Sequence, residues 1–268
     1  MVQVNSSLYD RFFKGGKGIP MRTSISASHF PTYNLMIGGK KQKKNSGSGT
    51  NSLFQLLNSK KEFLLAVFAN LITQLGITYY VMINYPIDNK TDKTTVYKSS
   101  TYWICLFVTL AIIFILAFVS MPSWLKFILF CIFSISWGIL LSFLKLTVDS
   151  QAIQMAIFGA MAIFGVMFLF GAFLLLFGVS LGFAFSCWLF FALLLFLIVQ
   201  IVVGFSGTYS MFHKAIAVVG LILFSLYIVY DTNTILQRNY YGDFITASLD
   251  YYLDILNIFL DLLSYNQN

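Results

Sequence analysis

The chain has 268 residues, 58% of them hydrophobic and only 10% charged, with 29 Phe and 15 Tyr against four Pro; its mean hydropathy is +0.79. A soluble domain is about 45–50% apolar and about 25% charged. A water-soluble enzyme, a disulfide-rich secreted domain and a disordered protein are therefore excluded, and an integral membrane protein remains.

The net charge of +7 is unevenly placed. Residues 1–61 carry ten Lys/Arg against Asp10 alone, whereas residues 62–268 carry seven basic and nine acidic residues. Residues 1–60, rich in Ser, Gly, Asn and Lys, read as a basic, largely disordered cytosolic arm. The arm leads straight into an apolar segment, so it is expected to attract anionic lipid and orient the chain rather than bind nucleic acid. Lys40, Lys41, Lys43 and Lys44 are the expected lipid-contact patch. The stretch from Arg11 to Arg22 with Ser24, Ser26 and Ser28 faintly resembles a mitochondrial presequence, but Asp10 and the glycine-rich composition count against it.

After Glu62 the apolar blocks reach membrane length, about 17–25 residues each. The spans are predicted at 63–84, 101–121, 124–144, 152–177, 179–205 and 215–231, with the fourth and fifth separated only near Gly178. A seventh, 244–263, has the length but holds Asp250, Asp254 and Asp261. With the N-terminus in the cytosol, twelve basic residues fall inside and five outside, as the positive-inside rule requires. The sequon at Asn89 then lies in the first outside loop. Glycines 159, 165, 171, 178 and 182 are explained by close helix packing, with Gly178 and Gly182 as a small-residue pair. Cys105, Cys131 and Cys187 lack metal or disulfide spacing, and with only His29 and His213 in the chain a zinc centre is not expected.

Ionisable residues inside a span cost about 2.5–3.5 kcal/mol each on insertion scales and mark function by default. Asp231 closes the predicted sixth span. In the seventh, Asp254, Asn257 and Asp261 stand at i+4, i+7 and i+11 from Asp250. At ~100° per residue these four side chains fall within a sector of about 40°. Such a stripe cannot face lipid, so it meets water or protein. Two plainer readings compete: the seventh stretch lies flat in the membrane interface, or Asp231 simply marks a helix end. The functional one gathers Asp231 and Asp254 at one internal site.

The run from Phe224 through Tyr227, Tyr230, Asp231 and Thr232 to Ile235 is similar to the sixth-helix signature of the transmembrane Bax inhibitor motif family. Asp243-Phe244-Ile245 and the run from Leu249 through Asp254 and Asn257 to Leu260 resemble its seventh-helix signature, and Gln74, Leu75 and Thr78 match more loosely upstream. The resemblance implies an all-α integral membrane protein, a seven-helix bundle whose acidic last helix is central. It also implies a pH-sensitive calcium leak across an intracellular membrane, most naturally endoplasmic reticulum or Golgi, and suppression of cell death. Asp231 and Asp254 map to the family's proton-sensing pair; Asp250, Asn257 and Asp261 would support it.

The physics agrees with that mapping. Two carboxylates in contact at low dielectric cannot both ionise easily, so they share a proton, and losing it adds repulsion able to open a packed pore. Ionised, they offer the hard oxygen ligands Ca²⁺ prefers; Ca²⁺ is the transported ion, and no cofactor is expected. Family members often carry basic residues where the second helix ends. Residues 101–121 hold none, which leaves Lys126 and Arg238 as candidate basic partners. The charged element common between the fourth and fifth helices is also missing from 174–182.

Two other classes remain. One is a non-conducting cell-death regulator that binds partner membrane proteins, which the basic arm would suit. The other is an intramembrane aspartyl protease. That chemistry wants Gly-x-Gly-Asp at its second aspartate and a later proline element, whereas Tyr252-Leu253 precede Asp254 and Pro122 is the last proline. No enzyme is expected, nor is a Ser/His/Asp or Cys/His arrangement available.

Overall fold

Leu53, Leu56 and Leu57 stand at i, i+3 and i+4 within residues 1–60, the expected disordered arm, and that spacing makes one apolar helix face. In the computed structural model, which describes residues 49–87, 99–205, 209–238 and 242–266, this segment is helix α1 (Gly49–Ser59). Leu53 is buried and Leu56 and Leu57 pack on the core, while Phe54 stays exposed. The rest of the arm, with Lys40, Lys41, Lys43 and Lys44, lies outside the described residues, as does the Asn89 sequon.

Seven longer helices follow: α2 (Lys61–Asn84), α3 (Ser100–Phe118), α4 (Ser123–Ser142), α5 (Ser150–Leu176), α6 (Phe183–Phe205), α7 (Tyr209–Arg238) and α8 (Phe244–Asn266). Among the described residues all regular structure is helical. Five helices are long and apolar enough to cross a membrane: α2, α4 with the 3₁₀ turn after it, α5, α6 and the 212–238 part of α7. Two expectations change here. The predicted span 101–121 ends earlier, and its described apolar stretch, Ser100–Leu116, is shorter than the others. The aspartates of α8 keep it out of the apolar set.

Local chemistry sets the helix ends. Pro122, held extended at ψ 150°, starts α4, as a residue without N–H can. Asp149 caps α5 by accepting from the Gln151 N–H at 3.2 Å. Lys145 donates to the carbonyls of Ile83 and Tyr85, both at 3.1 Å, and so satisfies the open end of α2. Gly178 (φ +80°) closes α5. Its N–H bonds Leu175 O, and Val179 N–H bonds Leu174 O, which is the paired arrangement of a glycine C-cap. Gly178 and Gly182 therefore form the turn into α6 and are not a helix-packing pair.

Close packing does hold at other glycines. A Cβ on Gly171 would lie 2.7 Å from Val229 O, and one on Gly138 would lie 2.8 Å from Thr78 O. These two positions bring α5 against α7 and α4 against α2. Gly165, by contrast, faces open space.

α7 runs two turns past Asp231 to Arg238. Asp231 is thus inside a helix, and the helix-end reading fails. The flat-in-the-interface reading fails too, because α8 packs on α2, α4, α5 and α7. Tyr252, Phe259 and Leu263 are as buried as Asp254 and Asp261 across the helix, and a helix covered all round is an interior one. α3 packs mainly on α4 and α6 mainly on α7. Both leave large apolar side chains exposed, among them Phe107, Phe114, Phe191 and Phe205.

Candidate functional site

The site forms where α7 meets α8. Asp231 and Asp254 are 6% and 5% exposed, and their carboxyl groups lie within hydrogen-bonding reach of each other. Ionised carboxylates only accept, so that contact requires a proton on one of them. Oδ2 of Asp254 has no hydrogen-bond partner. Asp250, half-buried on the same face, acts electrostatically on both.

The predicted stripe comes together only in part. Asp261 is buried farther along the same seam. Asn257 turns back on its own helix, its amide donating to Leu253 O at 2.8 Å, and it joins none of the acids.

Two adjacent tyrosines fix α8 around this pair. Tyr251 is buried among Phe68, Phe164 and Phe168, and its hydroxyl bonds Thr232 Oγ1 at 2.8 Å, next to Asp231. Tyr252 points elsewhere, packing on Phe130 and Phe133 and reaching Thr78 Oγ1. Thr78 belongs to a polar ladder on α2, with Gln74 and Asn70 one and two turns before it. Gln74 Oε1 accepts from Ser134 Oγ at 2.8 Å, and its amide donates to Asn70 Oδ1 at 3.3 Å and Cys131 Sγ at 3.4 Å. Asn70 in turn donates to Ser248 Oγ on α8.

Gln74 and Thr78 stand out in the sequence through the family resemblance, whereas Asn70 does not; polar residues at i, i+4 and i+8 in an apolar span are the signal that marks it. Asn233 is likewise not marked by the sequence. Its Oδ1 accepts from Leu181 N–H at 2.8 Å, and its amide donates to Val179 O at 3.0 Å and Gly171 O at 3.3 Å. One side chain thus holds the α5–α6 turn against α7.

The basic partners are not where they were expected. Lys126 forms its ion pair with Asp243, at the start of α8, and also donates to Thr246 Oγ1 at 3.2 Å. Asp243 caps α8, accepting from the N–H and hydroxyl of Thr246 at 3.1 and 2.7 Å. Arg238 is exposed in the last turn of α7, where a cation suits the helix dipole.

Burial alone would raise the Asp243 carboxyl, but the bonds from Lys126 and Thr246 outweigh it and hold it below its ordinary value of 3.8. A lowered carboxyl contributes stability above its unfolded value and loses it as pH falls through the folded one. Lys126→Met is therefore expected to lower the thermal midpoint of the full chain at pH 7. The gap to the parent should close below about pH 4. A gap that survives at pH 2 would assign the loss to packing of the lysine stem instead.

Among the described residues no three His, Cys, Asp or Glu side chains gather as a metal-holding group. Residues 60–267 match the family described as inhibitor of apoptosis-promoting Bax1. The chain is 37% identical over 76 residues to Protein LIFEGUARD 1 of Arabidopsis thaliana, covering 28% of this chain and 31% of that protein. It is 49% identical over 43 residues to Protein LIFEGUARD 3 of the same plant, 16% of this chain and 17% of the relative. A BI1-like protein, also from Arabidopsis thaliana, is 50% identical over 42 residues, 16% of each chain. The matched stretches span less than a third of these relatives' length.

Proposed function

The chain belongs to the Bax inhibitor family, and on that premise we propose that it suppresses cell death as a calcium leak of an intracellular membrane, gated by protons at Asp231 and Asp254. The reading takes α2 to α8 as seven spans with α8 central, in the endoplasmic reticulum or Golgi membrane, and the basic arm in the cytosol touching lipid through Lys40, Lys41, Lys43 and Lys44. Its main support is one observation: two buried carboxyls meeting across the α7–α8 seam.

The chemistry follows from that contact. With one proton between them the carboxyls tie α7 to α8. With none, two unit charges about 4 Å apart repel by about 4 kcal/mol at an effective dielectric of 20. An interhelical side-chain bond in a membrane is worth about 0.6 kcal/mol on average, so the repulsion outweighs several such bonds. The same oxygens are hard ligands for Ca²⁺ in passage.

The test is Ca²⁺ flux into liposomes holding the full chain between pH 6 and 8, beside Asp231→Asn/Asp254→Asn. Asn keeps the shape and a hydrogen bond but carries no titratable proton. A leak that changes with pH in the parent and loses that change in the double variant is the expected result. An unaltered pH response in the variant would move the gate elsewhere. No leak at any pH would favour a regulator that acts by binding partner membrane proteins.

A further inference from the structure

Asp261 follows Asp254 by seven residues, two helical turns, and so repeats its face about 10 Å farther along α8. It is 7% exposed, and its Oδ2 has no hydrogen-bond partner, like the Oδ2 of Asp254. The carboxyl fits against α7 only because residue 220 is glycine: a Cβ there would lie 2.2 Å from Oδ2 and 2.7 Å from Cγ. One turn to either side of Gly220, the residues Ile216, Ala217, Leu223 and Phe224 are all buried and apolar.

Packing does not account for this acid. A buried polar group without a partner is costly, and even a paired buried charge is often matched or bettered by apolar residues of similar volume. Gly220 leaves space for the carboxyl, yet no described side chain bonds its Oδ2. A visiting cation could bond it.

We propose that Asp261, in the notch left by Gly220, is a second cation station in the α7–α8 seam, one step beyond the Asp231–Asp254 pair. A single carboxylate completed by water binds a divalent ion weakly. That suits a pathway, where an ion must enter readily and also leave. The identity of the ion as Ca²⁺ rests on the proposed leak; the station itself rests on the buried, unpartnered oxygen and its glycine notch.

The test uses the full chain in detergent and dicyclohexylcarbodiimide, which labels carboxyls in apolar surroundings, with Asp261 followed by peptide mass spectrometry. Ca²⁺ is expected to slow labelling of Asp261 at least fivefold, in the parent and equally in Asp231→Asn/Asp254→Asn. Gly220→Ala, whose Cβ displaces the carboxyl, should abolish that protection. Labelling that ignores Ca²⁺, or no labelling of Asp261 at all, would overturn the station.

In liposomes, Asp261→Asn should lower Ca²⁺ flux tenfold or more without moving its pH midpoint. Unchanged flux in Asp261→Asn beside a conducting parent would also overturn the station. A parent that does not conduct would sink the leak reading alone, because Ca²⁺ protection of Asp261 would still decide the station.

Discussion

Gly171→Ala loosens the α5–α7 contact and lowers the thermal midpoint of the full chain in detergent, whereas Gly165→Ala, less than two turns away on the same helix, does not. In a helix interior alanine is favoured over glycine by roughly 0.5–1 kcal/mol, so both substitutions start with a gain. At Gly165 nothing lies within 4 Å of the new methyl and the gain stands. At Gly171 the methyl meets Val229 O at 2.7 Å, Thr232 Cβ at 2.9 Å and Val229 Cα at 3.2 Å. Two of those atoms are backbone, so no side-chain rotation relieves them, and overpacking of this kind costs about 1–3 kcal/mol. The clash wins. Val229 and Thr232 flank Asp231, so the same variant should also disturb the carboxyl contact and alter any pH-dependent flux. Equal midpoints for the two alanine variants would mean that α5 and α7 are not in this register.

Gln74→Leu is the second large effect, and its direction is less obvious. In an apolar span leucine improves insertion, and it fills nearly the same volume. But Gln74 is fully buried and serves three neighbours. The substitution leaves the Ser134 hydroxyl and Asn70 Oδ1 without their partner and removes the contact to Cys131. Each orphaned buried group costs about 1–3 kcal/mol. Side chains in an unfolded, membrane-embedded state also find partners, which lowers the net worth of each interhelical bond to about 0.6 kcal/mol. A loss of roughly 1–3 kcal/mol results from these limits. Tyr252→Phe should cost less than Gln74→Leu, because Thr78 Oγ1 still donates to Gln74 O or Ser134 O. Thermal or denaturant unfolding of the three proteins side by side checks the order; Tyr252→Phe as the worse variant would refute it.

Hydropathy made most of the helices legible, because a long apolar run with few breaks has little else to be. It failed where polar residues do structural work inside a helix. Asp231, Thr232 and Asn233 look like the end of a span, yet all three are buried and α7 continues to Arg238. Helix α1 is too short to register as a span, and only its packing on α5 makes it visible.

At the site, the seven-residue repeat of Asp254 and Asp261 could be read from the chain, since residues on one helix keep a fixed angle. Their partners could not. That Gly220 faces Asp261, that Asn233 holds the turn at Val179–Leu181, and that Lys126 meets Asp243 all depend on how distant helices are aligned. Periodicity within one helix carries no information about that alignment.

The order of synthesis gives the packing of α8 one more consequence. Helices α1 to α7 leave the ribosome before α8, yet Asn70, Thr78 and Thr232 each bond a side chain that only α8 supplies. Until it arrives, part of the polar ladder on α2 stands incomplete in a bilayer that offers no water to replace the missing bonds. The half-made protein is therefore the vulnerable one, open to chaperones and quality-control proteases, and its maturation waits on the helix that carries Asp254.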